Sequence, residues 1–353
     1  MKKDLLLLTA LIAIAGSITQ IPFIFDITTD AFYFKSISFI VFPFLSVFFL
    51  QKQGASLSSY VVPSIAVLIS AVYVAFLPDF ESNDSVTLAI IHLPILFWTL
   101  LGFEFGGSSL KTSFKTVEYL RYNGDLVVIS AILFLSGLLF SAITLGLFSF
   151  LDLNIEVFYV EHIAPWGLAA IPIVGTALIQ HNPELIGKVS PIIARIFTPI
   201  VFVMLLIFSV ALLFSSKNLY LDREFLMIFN LLLIGVMAII LFSLSEIQDK
   251  TSSNFHLYVL TALSILTLFI NLYGLSAILY RIMEFGITPN RLAVSVANAL
   301  ILIHLLTVTL KLIQKVRGQV TVVELEKTIA KFIPIYGIWA LLVVFGFPLI
   351  FRT

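Results

Sequence analysis

The stretch "LVVISAILFLSGLLFSAITLGLFSF", residues 126–150, runs for 25 positions without a charged side chain. About 20 mostly apolar residues in helical form are enough to cross the hydrocarbon core of a bilayer. Lipid offers no hydrogen bonds, so a spanning segment has to satisfy its backbone internally, as a helix does. The strands of a membrane barrel would be short and alternating, whereas this run is continuous. The segment therefore predicts a transmembrane α-helix.

Similar segments lie on both sides of this one. The predicted spans are residues 5–25, 36–51, 59–78, 86–103, 126–150, 164–180, 193–215, 225–244, 256–280, 292–312 and 332–351. The first span resembles a signal peptide, but no small-x-small cleavage site leads into a soluble region, so we expect it to stay uncleaved. We predict an all-α, polytopic transmembrane helix bundle of about eleven spans, forming a single integral membrane domain over residues 1–353.

Composition indicates the same class of protein and excludes others. Hydrophobic residues make up 60% of the chain and charged residues 11%, with a mean hydropathy of +1.11. Soluble domains are closer to half apolar and a quarter charged. The 20 basic and 20 acidic residues balance, so nothing indicates a nucleic-acid partner. The chain has no cysteine, which excludes disulfides and thiolate chemistry, and the sequence indicates no cofactor.

The charges of the loops predict an orientation. The linker that holds Asp152, Glu156 and Glu161 has no lysine or arginine, whereas the linker near 313–331 is rich in lysine. Eleven spans with a cytoplasmic N-terminus place about 14 of the 20 basic residues inside, as the positive-inside rule requires. We therefore expect a cytoplasmic N-terminus and an extracytoplasmic C-terminus.

The linker at 313–331 also has an amphipathic pattern. The interpretation that it lies on the membrane interface competes with that of an ordinary solvated connector. In the first interpretation Val322, Val323, Leu325 and Ile329 face the interface, and Glu324, Glu326, Lys327 and Lys331 face water.

Few polar residues fall within the predicted spans. The candidates are His92, Asn230, Asn271, Asn298 and His304. A histidine at such a depth can bind a ligand or relay a proton, but it is more often satisfied by a neighbouring helix. Amides between helices in lipid contribute on the order of 0.6–2 kcal/mol and more often specify packing than bind a substrate. The histidines do not have the spacing of metal ligands, so a metal site is not supported.

The richest polar cluster is "YRIMEFGITPNR", residues 280–291. We call this segment the polar hinge, and its polar residues are Arg281, Glu284, Thr288, Asn290 and Arg291. Arg281 and Glu284 stand three residues apart, so they can pair on one helical face if the preceding helix continues. Gly286 would then end that helix, and Thr288 would cap the next one.

Two interpretations of the polar hinge stay open at the level of sequence. Its arginines either bind an anionic group or stabilise the fold through Glu284, and in the second case Arg281→Ala destabilises the protein more than Arg291→Ala does. Asp222 and Arg223 form a second charged hinge, which the same topology places on the same side of the membrane. The helix dipole by itself explains acidic residues at the start of the following helix, and contact between the two hinges, with Asp222 and Arg223 as partners, is the alternative that stays open.

Three segments carry a resemblance to a known family. They are "LDREFLMIFNLLL" (221–233), "LSAILYRIMEFGITPNRLAVSVAN" (275–298) and "IPIYGIWALLVVFGFPLIF" (333–351). The chain from about residue 105 onward resembles a family of bacterial multi-pass inner-membrane proteins, catalogued as a domain of unknown function. Its common mark is R-x(4)-G-[IL]-T-x-x-R, matched here by Arg281, Gly286, Ile287, Thr288 and Arg291. The resemblance implies the bacterial cytoplasmic membrane and supplies no reaction, substrate or cofactor.

Three classes of function fit these observations. A transporter or permease for a small or lipidic solute fits the number of spans and their interruption by proline and glycine. A non-catalytic scaffold or sensor subunit fits the short loops, and a membrane-embedded enzyme acting on lipid or envelope precursors fits least, because no catalytic motif is present. Membrane lipids are expected partners, along with a membrane-protein partner or a second copy of the chain.

Overall fold

The long apolar runs form helices, because each backbone group then finds its partner within the same segment. The computed structural model describes residues 2–78, 80, 83–106, 113–150, 152–181, 183–214, 220, 222–245, 247 and 254–351. Every regular element in these ranges is helical. In chain order the α-helices are α1 (Lys2–Thr19), α2 (Ile21–Phe25), α3 (Thr29–Lys52), α4 (Val61–Phe76), α5 (Asp84–Phe105), α6 (Ser113–Phe150), α7 (Glu156–Phe158), α8 (Ala164–His181), α9 (Pro183–Phe214), α10 (Arg223–Ser245), α11 (Asn254–Phe285), α12 (Pro289–Val316), α13 (Val322–Ala330), α14 (Ile333–Leu341) and α15 (Phe347–Ile350). A 3₁₀ turn lies at Leu57–Tyr60, and π-helical turns lie at Tyr159–Ile163 and Leu342–Gly346.

Ten helical segments within the described ranges are long and apolar enough to cross a membrane, and the shorter apolar helix Leu5–Thr19 precedes them. Every predicted span falls on one of these segments. The predicted spans 36–51 and 164–180 are shorter than the helical segments that contain them, Thr29–Lys52 and Glu156–His181. The prediction of an all-α polytopic membrane bundle is confirmed.

Two stretches that lie between predicted spans are helical over much of their length. Residues 113–125 form the first turns of α6, and residues 183–192 form the first turns of α9. In α6 the reason is packing, since Val117 and Tyr119 are almost completely buried and the Tyr119 hydroxyl donates to the carbonyl of Trp98 at 2.7 Å. Charged side chains at a helix end do not interrupt the backbone hydrogen bonds, so a helix can continue beyond the end of its apolar run.

The first of two compact units comprises Met1–Leu77, Leu100–Ser109 and Tyr122–Gly187. Its core lies where α1, α3 and α8 meet, and Phe48 of α3 packs there with Ala15 of α1 and Ile173 of α8. Two polar contacts lie at the ends of helices in this unit. Nδ1 of His162 lies 2.7 Å from Oε1 of Gln20, next to the end of α1, and Nε2 of Gln53, next to the end of α3, donates to the carbonyl of Glu104 at 3.0 Å.

The second unit comprises Pro78–Thr99, Leu110–Arg121 and Lys188–Thr353. The helices α10, α11 and α12 pack against one another, and α13 packs against both α10 and α12. The core includes Leu233 of α10, Leu263 of α11 and Leu305 of α12, each with no exposed surface. Gly274 allows a close approach of α11 to α10, because a Cβ there would lie 2.5 Å from the ring of Phe229. Whether residues 1–353 form a single domain stays a prediction.

The contacts inside the second unit sort its helix ends into two sets. Arg121 donates to the carbonyl of Ser245 and pairs with Glu326, so these three ends lie together. At other helix ends, Nδ2 of Asn290 donates to a carboxylate oxygen of Asp84 at 2.6 Å. Both sets agree with the alternation that eleven spans predict.

Candidate functional site

The polar hinge is a helix end followed directly by a capped helix start. The helix α11 continues to Phe285, and Gly286 follows it with φ +77° while its N–H donates to the carbonyl of Ile282 at 2.9 Å. The Thr288 hydroxyl accepts the N–H of Arg291 at 3.3 Å, which caps the first turn of α12. The predicted glycine stop and threonine cap are confirmed.

Arg291 closes the end of α11. Its Nη1 donates to the carbonyls of Phe285 and Gly286, both at 2.7 Å, and its guanidinium lies 5.6 Å from the Phe285 ring centroid. A cation is favoured at a helix C-terminus, where the last carbonyls have no partner in the helix. Arg291 therefore has a complete structural role within the hinge.

The predicted pairing of Arg281 with Glu284 is wrong. Glu284 is exposed and forms no ion pair with any residue that the structure describes, while the Arg281 guanidinium lies 5.9 Å from the Phe285 ring centroid. An exposed ion pair gains little in water and costs side-chain entropy, so three-residue spacing alone does not form one. Stabilisation through Glu284 is no longer an explanation for the hinge.

Tyr220, two residues before the second charged hinge, contacts the polar hinge. The Tyr220 ring centroid lies 5.4 Å from that of Tyr280, and the Tyr220 and Ser276 hydroxyls are 2.8 Å apart. Asp222 accepts the first backbone hydrogen bond of α10, and Arg223 is exposed. These contacts join Tyr220 to Tyr280 and Ser276 of α11, and a role for Asp222 and Arg223 as hinge partners stays a prediction.

The amphipathic segment is only partly as predicted. Val322, Leu325 and Ile329 of α13 are buried in the core of the second unit, whereas Val323 is 53% exposed. Glu326, expected in water, is only 7% exposed. These corrections follow from the helical period, which places Glu326 beside Leu325 and Ile329 on the packed face.

Glu326 is buried because it has a partner from a distant part of the chain. Its Oε1 lies 3.4 Å from Nη2 of Arg121, and Nε of the same guanidinium donates to the carbonyl of Ser245. A buried carboxylate requires such a partner, since an isolated charge is costly to desolvate. The pair joins the N-terminal part of α6 and the middle of α13 to the end of α10.

Three of the intramembrane candidates have hydrogen-bond partners within the protein. Nδ2 of Asn298 donates to Oδ1 of Asn230 at 2.7 Å, which links α12 to α10. His92 is half-buried, and its Nδ1 lies 2.9 Å from the carbonyl of Leu88 in its own helix. The amide pair has the packing role expected of it, and the histidine is satisfied by its own helix instead of a neighbouring one.

His304 is a completely buried histidine of α12. Its ring stacks on that of Phe332 with 4.1 Å between centroids, and Nδ1 lies 3.0 Å from the Tyr336 hydroxyl. These contacts give it neighbouring-helix partners, as the packing interpretation requires. Its Nε2 is buried and has no hydrogen-bond partner within the described part of the chain.

Asn271 differs from every other candidate. It has no exposed surface, and neither the nitrogen nor the oxygen of its amide has a hydrogen-bond partner among the residues that the structure describes. Leaving a buried polar group unsatisfied costs roughly 1–3 kcal/mol. Asn271 therefore offers both a donor and an acceptor inside an apolar bundle.

A stripe of polar side chains runs along α11 and includes Asn271. Its other members are Thr261, Ser264 and Thr267, all of them buried. The Ser264 hydroxyl is hydrogen-bonded to that of Thr309 on α12, which fixes the direction of this face. Asn271 follows Ser264 by seven residues, or about two turns, so it lies on the face that α11 packs against α12.

Comparisons with protein-family models, with curated proteins and with solved structures return no match for this chain. Evidence for a function therefore comes from the geometry of the second unit.

Two features of the site were present in the sequence without being singled out. The spacing of Thr261, Ser264, Thr267 and Asn271 is three, three and four residues, a polar stripe in a helix that is otherwise apolar. Helical periodicity could have identified this stripe. The pair of Arg121 with Glu326 joins residues 205 positions apart, and spacing in one sequence carries no signal for such a contact.

Proposed function

We propose that the protein is a permease for a small solute, with its pathway in the second unit along the interface of α11 and α12. The observation that carries the proposal is the buried amide of Asn271, which has no hydrogen-bond partner among the described residues. A polar group that holds no neighbouring helix in place adds nothing to packing. A ligand or water molecule that passes through the site gives it a partner.

The polar stripe on α11 supports this proposal, because it extends the polar surface from Asn271 away from the polar hinge, and an amide pair on α10 and α12 extends it toward the hinge. The pair of Asn230 and Asn298 lies toward the polar hinge, and the pair of Ser264 and Thr309 lies toward the other end of the unit. Polar groups between helices in lipid mark candidate paths for substrates. A transporter commonly places its site near the middle of its helices.

The experiment uses the natural absence of cysteine, since a single introduced thiol is then the only one in the chain. An Asn271→Cys variant in proteoliposomes is treated with the neutral reagent 2-hydroxyethyl methanethiosulfonate, and labelling is followed by intact mass. Ala277→Cys is the matched control, because Ala277 is equally buried on the same helix but lies off the polar stripe. We expect Asn271→Cys to react at least tenfold faster.

Equal, slow labelling at both positions contradicts a pathway and rules out the proposed permease function. Native mass spectrometry of the wild-type protein then separates the other two classes. A stoichiometric protein partner favours the scaffold or sensor subunit, and a retained lipid or envelope precursor favours the enzyme.

The proposal includes a place in the cell. We place the protein in the bacterial cytoplasmic membrane with a cytoplasmic N-terminus, supported by the basic loops and by the resemblance around the polar hinge. The local geometry accounts for three marks of that resemblance: the stop at Gly286, the cap at Thr288 and the helix closure by Arg291.

Impermeant maleimide added to intact cells tests this orientation. It should label a Glu156→Cys variant and leave a Gln319→Cys variant unlabelled until the cells are opened, since both positions are exposed at helix ends. The reverse pattern would invert the topology. Labelling of both positions in intact cells would contradict the eleven-span alternation.

A further inference from the structure

The surroundings of Asn271 contain no formal charge. The sequence has no Asp, Glu, Lys or Arg in residues 225–245 of α10, 254–280 of α11 or 292–310 of α12. On α11 the nearest charged residue, Arg281, is ten positions away, which is about 15 Å along a helix. The site therefore lies deep between helices that offer only neutral groups.

A charged solute would lose its hydration at this depth without gaining a counter-charge. Moving an isolated ion into a medium of low dielectric constant is strongly unfavourable, and it stays unfavourable after the protein relaxes. Transporters of ions and ionised substrates offset that cost with half-helix ends or with charged side chains at depth. These stretches of α10, α11 and α12 supply no such side chain.

The groups that line this part of the unit are amides and hydroxyls. The Asn271 amide presents two donors and one acceptor. The other members of the stripe, which precede it on α11, carry hydroxyls, and the pair toward the polar hinge, Asn230 and Asn298, carries amides. The complement of a neutral donor and acceptor is a group that both donates and accepts, such as a hydroxyl or a carboxamide. An apolar solute would leave the Asn271 amide unsatisfied and gain nothing from the stripe.

We infer that the solute is a small uncharged molecule that carries a hydroxyl or amide group, held by the amide of Asn271 at the interface of α11 and α12. This inference rests on the proposed permease function and narrows its substrate to one chemical class. It makes charge, and not size, the first property by which the pathway selects.

The test measures charge selection at one position with three reagents of similar size. The Asn271→Cys variant in proteoliposomes is treated with neutral 2-hydroxyethyl, cationic 2-(trimethylammonium)ethyl and anionic 2-sulfonatoethyl methanethiosulfonate. Each rate is divided by the rate of the same reagent at Gln319→Cys, an exposed position. We expect the normalised rate of the neutral reagent to exceed that of either charged reagent at least tenfold.

The possible outcomes separate this inference from the function on which it rests. Equal normalised rates for all three reagents would show a pathway open to ions, which overturns the neutral class and leaves the permease intact. A cationic or anionic reagent that reacts faster would also overturn it. If the neutral reagent labels Asn271→Cys no faster than Ala277→Cys, the pathway itself is absent and both proposals fall.

A second position guards against a variant that does not fold. Thr267 lies one turn away on the same stripe and is equally buried, and its hydroxyl bonds only to the carbonyl of Leu263 in its own helix. Thr267→Cys should show the same preference for the neutral reagent. Uniform reactivity at Thr267→Cys in a monodisperse preparation overturns the inference without reference to Asn271.

Discussion

The polar hinge and the interior of the α11–α12 pair belong to the same two helices, but their polar residues have different roles. In the hinge, Arg291 binds two carbonyls of the preceding helix and Thr288 caps the next one. In the interior, the amide of Asn271 is buried without a hydrogen-bond partner among the described residues. The polar hinge, the segment richest in polar residues, thus has a structural role. The candidate for function is Asn271, whose buried amide has no hydrogen-bond partner among the described residues.

This difference shows which physical quantity identifies a site. Polar residues at a helix end are expected, since the terminal backbone groups need partners there and water is near. A fully buried amide without a hydrogen-bond partner is unusual, because packing does not offset the free energy of removing it from water. Satisfaction of hydrogen bonds, and not the density of polar residues, therefore separates the two regions. Substitutions in each region can test that separation, from the largest expected effect to the smallest.

The largest effect is expected where the interior helices approach most closely. Gly274→Ala places a Cβ 2.5 Å from the Phe229 ring, so we expect a loss of about 1–3 kcal/mol in the free energy of unfolding. Gly235→Ala is the matched control on α10, where nothing lies within 4 Å, and should stabilise the helix by about 0.5–1 kcal/mol. Equilibrium unfolding in mixed detergent measures both. Equal effects would contradict the close approach.

The amide pair in the interior comes next. Asn298→Leu removes the donor from Asn230 and leaves that amide without its interhelical partner, so unfolding should become easier by roughly 1–2 kcal/mol. The double variant with Asn230→Leu should recover part of the loss, because no amide is then left unpaired. A double variant no more stable than the single one would argue against a packing role.

In the polar hinge, Arg291→Ala should cost about 1 kcal/mol, because two charge-assisted hydrogen bonds to the end of α11 are lost. Glu284→Ala is the control within the same hinge and should change stability by less than about 0.5 kcal/mol, since Glu284 is exposed. Thermal unfolding in detergent compares the two. A larger loss at Glu284 than at Arg291 would restore the ion-pair explanation that the structure removed.

The smallest expected effect is a gain in stability, whereas Gly274→Ala, Asn298→Leu and Arg291→Ala are expected to destabilise the protein. Asn271→Leu replaces an unsatisfied amide by an apolar group of similar volume, so the protein should be unchanged or more stable by up to about 1 kcal/mol. Labelling at Thr267→Cys in the same background should fall, because the polar pathway is interrupted. A clear loss of stability on Asn271→Leu would mean that the amide has a packing role after all.

Much of the fold was predictable because it depends on local properties. Apolar runs such as residues 126–150 predict helices directly, and the glycine stop at Gly286 and the cap at Thr288 follow from neighbouring residues. Helix ends were less predictable, since the first turns of α6 carry charges yet bury Val117 and Tyr119. Hydropathy measures the fit of a segment to lipid, and it does not measure packing outside the apolar run.

The candidate site was predictable only in part. Asn271 was a candidate by its residue type and its depth in the predicted span. Asn230 and Asn298 shared both properties, yet the structure shows that they are hydrogen-bonded to each other. Hydrogen-bond partners come from other helices, so one sequence cannot separate a satisfied amide from an unsatisfied one. For the same reason the burial of Glu326 was not predicted, because its partner Arg121 is 205 residues away in the sequence.

The sequence by itself determined the class of this protein: an all-α, multi-pass membrane bundle, with most of its spans and the local form of the polar hinge. These properties depend on the transfer of apolar segments to lipid and on backbone hydrogen bonds within a few residues. The tertiary structure alone decided which buried polar groups are paired, because pairing depends on which helix faces meet. That is why Arg291 and Glu326 became structural residues and Asn271 became the candidate for function.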